Sequence, residues 1–179
     1  MKKILALIVS PRRRGNSEQL ADAFLAGAAA AGHQIRKIAL RDLDLKPCIA
    51  CDACLSRGAS CIRRDDMHQI FDAIRESDLV LIATPLYYYT FPSQIKMVFD
   101  RMYSLYSDGY PKCDAMLFTT AADNTPDTFE PIDRTYRAIL KHLGWQDCGT
   151  LYAPGLTDPG EVAETEFPAR AETLGRALN

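Results

Sequence analysis

The stretch Ile4-Leu5-Ala6-Leu7-Ile8-Val9-Ser10-Pro11-Arg12-Arg13-Arg14-Gly15-Asn16-Ser17 decides the fold of this chain. Its first six residues form a continuous apolar run, which is typical of a strand covered on both faces in a parallel sheet. The remaining residues form turns readily, and Asn16 or Ser17 can cap a following helix. Apolar residues four apart predict that helix as far as Gly32, and residues 34–40 supply a second strand. The opening of the chain therefore predicts a β-α-β unit.

The same alternation of strands and helices continues to the end of the sequence. Further apolar runs predict strands at residues 79–83 and 115–120, and residues 147–153 give a short fifth strand. Amphipathic segments predict helices at residues 66–74, 93–103, 132–143 and 162–178. This order predicts an α/β fold with a doubly wound parallel sheet of five strands, built as a single domain over residues 1–179. Ligands bind such sheets at the carboxyl ends of the strands, so the loops that follow the strands are the candidate site.

Composition excludes several classes of protein. A formal net charge of -2 over 179 residues gives no basic face for nucleic acid. No window has the roughly 18 uninterrupted apolar residues of a membrane helix. The apolar run after Met1 is too short for a signal peptide, so we expect a soluble cytoplasmic protein. In a reducing cytoplasm its six cysteines are not expected to form a disulfide framework.

The loop after the first strand has the character of a phosphate-binding turn. Helix N-termini expose free N–H groups and partial positive charge, and Ser10, Asn16 and Ser17 add polar side chains. One of the three arginines at residues 12–14 could add a charged contact. The loop matches neither the dinucleotide-binding nor the P-loop pattern. An ordinary capped turn with solvated arginines is the alternative interpretation.

The loop at residues 84–92 follows the third strand and carries Tyr87, Tyr88, Tyr89 and Phe91. Aromatic side chains and backbone polar groups together suit a flat, amphipathic ring system. Tyrosine clusters are also common at protein interfaces, and a ligand at a dimer interface would satisfy both interpretations. The short polar loop at residues 119–124 follows the fourth strand and could contact the same ring.

The segment at residues 47–67 holds four of the six cysteines, Cys48, Cys51, Cys54 and Cys61, in the spacing C-x2-C-x2-C-x6-C. Three overlapping thiols in one tight loop suit an iron-sulfur cluster, whereas zinc sites usually separate two C-x2-C pairs by a longer stretch. Zinc and free or redox-active thiols remain the alternatives. The other two cysteines, Cys113 and Cys148, lie beside strands and are predicted to be buried structural residues.

In combination these motifs resemble the iron-sulfur flavoprotein branch of the NADPH-dependent FMN reductases. The resemblance rests on S-P-R-x-x-G-N-S from Ser10, the four cysteines ahead of Asp65-Asp66-Met67, and T-P-x-Y from Thr84 with Pro92, Lys96 and Asp100-Arg101. It implies a flavodoxin-like three-layer sandwich with strand order 2-1-3-4-5 and a cysteine-rich insertion at residues 47–64. It also implies non-covalent FMN and a homodimer or homotetramer with the flavin near a subunit interface.

The resemblance also implies which residues bind cofactors. Ser10, Arg12, Asn16 and Ser17 would hold the FMN phosphate. The isoalloxazine ring would lie among Pro85, Leu86, Tyr87, Tyr88, Thr119, Thr120, Ala121 and Ala122. The metal ligands of a [4Fe-4S] cluster would be Cys48, Cys51, Cys54 and Cys61.

The function implied is an FMN-dependent oxidoreductase whose chemistry is carried by FMN, with no catalytic side chain. Electrons would pass from NAD(P)H or a ferredoxin-type donor through FMN, and through the [4Fe-4S] cluster if present, to an acceptor. Two alternatives are a flavodoxin-like electron carrier without its own substrate and a cluster-free NAD(P)H:FMN or quinone reductase.

Overall fold

The fold is a parallel five-stranded sheet in the order β2-β1-β3-β4-β5, as a computed structural model of residues 1–56, 58 and 61–178 shows. The strands are β1 (Lys3–Ile8), β2 (Gln34–Ala39), β3 (Leu79–Pro85), β4 (Asp114–Thr120) and β5 (Gln146–Ala153). The helices are α1 (Asn16–Ala30), α2 (Ala53–Ser56), α3 (Met67–Arg75), α4 (Ser93–Met102), α5 (Glu130–Leu143) and α6 (Phe167–Arg176). The predicted flavodoxin-like fold and strand order 2-1-3-4-5 are confirmed.

The sheet is buried on both faces because alternate residues of its inner strands enter different cores. In β1, Leu5 and Leu7 pack with residues of α3, α4 and α5, whereas Ile4, Ala6 and Ile8 pack with residues of α1 and α6. A strand with two apolar faces has an uninterrupted apolar sequence, and this run identified the strand before the structure was known. Within the described residues, no helix combines the length and the apolar character needed to cross a membrane.

Helices α1 and α6 approach each other closely at two glycines. A Cβ atom built on Gly27 would lie 2.1 Å from the carbonyl oxygen of Glu172. A Cβ atom built on Gly175 would lie 2.1 Å from the carbonyl oxygen of Phe24. Only glycine permits this backbone-to-backbone contact, so the two positions fix how closely α6 packs on α1.

Two expectations from the sequence were wrong in detail. The last helix does not begin at Val162, because residues Glu161–Glu164 form a separate 3₁₀ turn and α6 starts only at Phe167. Cys113 is buried as predicted, but Cys148 is exposed. It lies in the exposed first half of the edge strand β5, where the pairing with β4 shifts register. An irregular edge strand leaves such side chains in solvent.

Candidate functional site

A cleft of about 170 Å³ lies at the carboxyl edge of the sheet, where the loops after β1, β3, β4 and β5 meet. Its walls come from Ser10, Arg12, Gly15, Asn16, Ser17, Pro85, Leu86, Tyr87, Thr120, Ala121, Ala122, Leu156, Thr157 and Pro159. Ten of the residues predicted to bind cofactor are among them, and they come from three separate loops. Of the twelve predicted, only Tyr88 and Thr119 do not line the cleft.

The loop after β1 presents polar groups to one end of this cleft. The backbone N–H of Arg12 donates to Ser10 Oγ over 3.2 Å, which closes a tight turn. Gly15 precedes the first turn of α1, and a Cβ atom there would lie 3.1 Å from Ser10 Oγ. The Ser17 hydroxyl lines the cleft and is buried without a hydrogen-bond partner among the described residues. An unpaired buried hydroxyl at a helix start fits an anionic group such as a phosphate, so this end of the cleft has the chemistry of an anion-binding site.

Asn16 does not cap α1, contrary to the prediction that Asn16 or Ser17 would. Gly15 occupies the N-cap position and no side chain caps the helix. The Asn16 amide instead holds the loop after β5: its Oδ1 accepts from Gly160 N at 2.8 Å, and its Nδ2 donates to Asp158 O at 2.9 Å. Asn16 therefore joins two walls of the cleft.

The loop after β3 makes a tight turn that points a tyrosine into solvent. Tyr87 and Thr90 pair as an antiparallel bridge, with both N–H···O distances 3.0 Å. Tyr88 and Tyr89 between them have φ of 48° and 63°, a left-handed conformation that is costly for residues other than glycine. This turn leaves Tyr87 on the cleft and Tyr88 98% exposed. Strained backbone of this kind is often retained at functional sites.

The sequence did not indicate that Leu156, Thr157 and Pro159 would line the cleft. They follow β5, and the only signal available was that this loop also leaves the carboxyl end of a strand. Their backbone joins the other loops, since Leu156 N donates to Ala121 O over 2.8 Å. Leu156 adds an apolar side chain to the lining of the cleft.

The four predicted metal ligands all line a second, largely apolar pocket. Cys48 and Cys51 are exposed, and Cys54 and Cys61 are partly buried. In the part of the chain that the structure describes, no three His, Cys, Asp or Glu side chains lie close enough together to hold a metal ion. The structure thus brings the four thiols to one pocket without assembling a closed metal site. Four thiols around an apolar pocket are the donor set that an iron-sulfur cluster needs.

A buried ion pair connects the residues that flank the cysteine segment. Arg101 on α4 pairs with Asp65, and their side chains are 2% and 1% exposed. Arg101 also donates to Lys46 O at 3.2 Å, while Asp65 accepts from Lys46 N at 2.9 Å. Burial alone would lower the pKa of Arg101, but Asp65 and the neighbouring Cys61 outweigh it and raise that pKa. On the same helix, Lys96 and Asp100 form an exposed pair four residues apart.

Comparison with known proteins decides the family. The sequence profile described as NADPH-dependent FMN reductase matches residues 2–121. The chain belongs to this family. It is 34% identical over 178 residues to an iron-sulfur flavoprotein of Archaeoglobus fulgidus, covering 98% of this chain and 78% of that protein. It is 33% identical over 99 residues to an iron-sulfur flavoprotein of Methanosarcina thermophila, covering 55% of this chain and 51% of that protein.

A solved structure agrees with the fold. The NAD(P)H:quinone oxidoreductase from Methanothermobacter marburgensis superposes with a TM-score of 0.81 at 20% identity, covering 99% of this chain and 96% of that one. The family profile and the Archaeoglobus relative confirm the resemblance to the iron-sulfur flavoprotein branch of the FMN reductases, and this member of the family is an NAD(P)H-dependent FMN oxidoreductase.

Proposed function

We propose that this FMN reductase passes electrons from NAD(P)H or a ferredoxin-type donor through FMN to an acceptor, with a [4Fe-4S] cluster at the cysteine segment. The observation that supports it most strongly is the single cleft formed by the loops after four of the five strands. Bound FMN supplies the redox chemistry, since a flavin exchanges electrons singly or in pairs. The residues of the chain bind it, orient it and exclude water.

Each end of the cleft suits one part of FMN. At the polar end, Ser10, Asn16, Ser17 and Arg12 offer hydroxyl, amide and cationic groups at the start of α1. Of these, the unpaired Ser17 hydroxyl is the group that most needs a ligand. At the other end, Leu86, Tyr87 and Leu156 give apolar walls for a flat ring. We assign the phosphate to the first end and the isoalloxazine ring to the second, beside Thr120, Ala121 and Ala122.

The cluster is proposed to be held by Cys48, Cys51, Cys54 and Cys61. Their shared apolar pocket and the iron-sulfur flavoproteins among the relatives support this assignment. A [4Fe-4S] cluster exchanges single electrons, so it would pair naturally with a flavin that exchanges one or two. Thiols in this role must stay reduced until they bind iron, which suits a cytoplasmic protein.

Anaerobic purification followed by an absorption spectrum and flavin, iron and sulfide analysis tests the proposal. We expect a yellow-brown protein that retains FMN or takes it up when FMN is added to the apoprotein. A colourless protein that binds no FMN would refute the proposed function. Bound FMN without iron would support the reductase function and refute the assignment of an iron-sulfur cluster.

The cysteine assignment has a matched pair of variants. Cys51→Ser should abolish iron and sulfide while FMN content stays largely unchanged. Cys148→Ser is the control, because Cys148 is exposed and lies on β5 outside the cysteine segment. Iron in the Cys51→Ser variant at the wild-type level, or an equal loss in both variants, would contradict the assignment.

Steady-state kinetics separates an enzyme from a carrier. We expect turnover of NAD(P)H with a quinone acceptor, the activity named for the Methanothermobacter structure. Negligible turnover, combined with reduction of the flavin by reduced ferredoxin, would favour the carrier.

We also propose a homodimer or homotetramer, because exposed Tyr88 and Tyr89 beside the cleft suit a subunit contact. Light scattering measures that assembly directly.

A further inference from the structure

Behind the proposed phosphate loop lies a buried ion pair that none of the motifs indicated. Glu18, in the first turn of α1, accepts a hydrogen bond from Arg41 Nη2 at 3.0 Å, and the two side chains are 7% and 12% exposed. Arg41 belongs to the 3₁₀ turn Leu40–Asp42, which directly follows β2. The pair therefore ties the carboxyl end of β2 to the loop that follows its neighbour β1.

Both partners also bond the backbone of the loop. Glu18 Oε2 accepts from the N–H of Arg14 at 2.8 Å, and Arg41 Nη1 donates to the carbonyl of Ser10 over 3.4 Å. Arg14 has φ of 56°, which a non-glycine residue adopts only when its surroundings impose it. The ion pair thus holds two ends of one strained turn, and Arg12, which lies between them, lines the cleft.

The ion pair also offsets the negative charge of Glu18 near the start of α1. Glu18 is a carboxylate in the first turn of the helix that opens at the cleft, where it would repel an incoming phosphate. Burial would raise the pKa of Glu18, but hydrogen bonds from Arg41, Lys37 and Arg14 N–H lower it to about 2, so it stays charged. Lys37 is more exposed and shares its charge with Asp22, which leaves Arg41 as the main buried counter-charge.

We propose that Arg41, acting through Glu18, is a positioning residue that fixes the loop at residues 10–14 for the FMN phosphate and offsets the negative charge of Glu18 in the first turn of α1. The inference rests on the proposed function. It predicts that Arg41 contributes to the affinity for FMN but not to that for riboflavin, which has the same ring and lacks the phosphate. Arg41 does not line the cleft, so its effect must pass through the loop and through Glu18.

The test measures dissociation constants of apoprotein for FMN and for riboflavin, by flavin fluorescence quenching, in wild type and in Arg41→Gln. We expect FMN binding to weaken by at least about tenfold in Arg41→Gln, the effect of losing a hydrogen-bonded charge. Riboflavin binding should change by less than about twofold, because the ring end of the cleft is untouched. The control is Arg36→Gln on β2, which removes the same charge from an exposed pair with Glu76.

The outcomes are distinguishable. Wild type that binds neither flavin would refute the proposed function itself. Wild type that binds FMN, with Arg41→Gln losing FMN and riboflavin equally or losing neither, would overturn the inference alone. If Arg41→Gln does not fold, Arg41→Lys carries the test. It keeps the charge but lacks the planar fork that bonds Ser10 through Nη1 and Glu18 through Nη2, so the ratio of FMN affinity to riboflavin affinity should fall by about threefold or more. An unchanged ratio would again overturn the inference.

Discussion

At the scale of single residues, the most consequential group outside the cleft is Asp65. Its carboxylate is buried against Arg101 and also accepts backbone N–H groups of Lys46 and Met67. Removing one partner of a buried ion pair leaves the other charge uncompensated, which costs far more than losing an exposed pair. The chain offers a direct comparison, because Asp100 on α4 makes an exposed pair with Lys96.

We therefore predict that Asp65→Asn lowers the free energy of unfolding by about 3 kcal/mol. Asp100→Asn should lower it by less than about 1 kcal/mol, since exposed pairs contribute little. Urea denaturation of both variants and of the wild type measures the difference. Equal effects of the two substitutions would show that the Asp65–Arg101 pair is not buried in solution.

The pH dependence of stability reports on Glu18. Its pKa falls from about 4.5 in the unfolded chain to about 2 in the folded protein, so its stabilisation is complete above pH 4.5 and is lost as the pH falls towards 2. The shift corresponds to about 3 kcal/mol. We predict that the difference in unfolding free energy between wild type and Glu18→Gln is largest above pH 5 and shrinks below pH 4.5. Other carboxylates titrate in both proteins and cancel in this difference, so a constant difference down to pH 2 would contradict the assignment.

At the scale of secondary-structure elements, helix propensity and helix packing make opposite predictions for Gly27. Alanine inside a helix is favoured over glycine by about 1 kcal/mol. A Cβ atom at Gly27 would nevertheless lie 2.1 Å from the backbone of α6, and backbone cannot move aside as a flexible side chain can. We expect the steric cost of the added Cβ atom to exceed the gain in helix propensity.

Gly27→Ala is therefore predicted to destabilise the protein by about 2 kcal/mol or more, in the range of overpacking substitutions. Thermal denaturation measures it. Ala26→Gly is the control for propensity, because Ala26 is an exposed residue of the same helix and its replacement should cost only about 1 kcal/mol. Stabilisation by Gly27→Ala would mean that α6 does not pack on α1 as described.

Elements with a strong period were predictable from sequence, and contacts between distant elements were not. Continuous apolar runs identified β1, β3 and β4 because the residues of these inner strands are buried on both faces. The burial of Arg101 was not predictable because spacing along one helix shows only neighbours on that helix, whereas its partner Asp65 is 36 residues away. The loop after β5 was missed as a wall of the cleft because it carries no reactive side chain, and Asn16 recruits it through tertiary hydrogen bonds.

At the scale of the whole molecule, the residues on either side of the cysteine segment are hydrogen-bonded to each other. Asp44 N donates to Asp66 Oδ2 and Lys46 N to Asp65 Oδ2, each over 2.9 Å. Asp66 N returns a bond to Asp44 O at 3.0 Å. The two ends of the segment at residues 47–64 are therefore held together by groups outside it, and the cleft proposed for FMN is lined by other loops.

We predict that replacing residues 47–64 with a short glycine-serine linker of about four residues preserves the fold and FMN binding while removing all iron. Circular dichroism and FMN titration measure the first two, and metal analysis measures the third. The dissociation constant for FMN should stay within about threefold of the wild-type value. Loss of FMN binding by a folded variant would show that the segment shapes the cleft.

The close approach of α1 and α6 at Gly27 and at Gly175 has a genetic consequence as well. Glycine is the only amino acid without a Cβ atom, so every missense change in either codon adds an atom where the backbones of α1 and α6 already touch. These two positions have no conservative replacement. In a library of random point mutants selected for soluble protein, both codons should be depleted of every substitution, whereas an exposed position such as Ala26 should tolerate many.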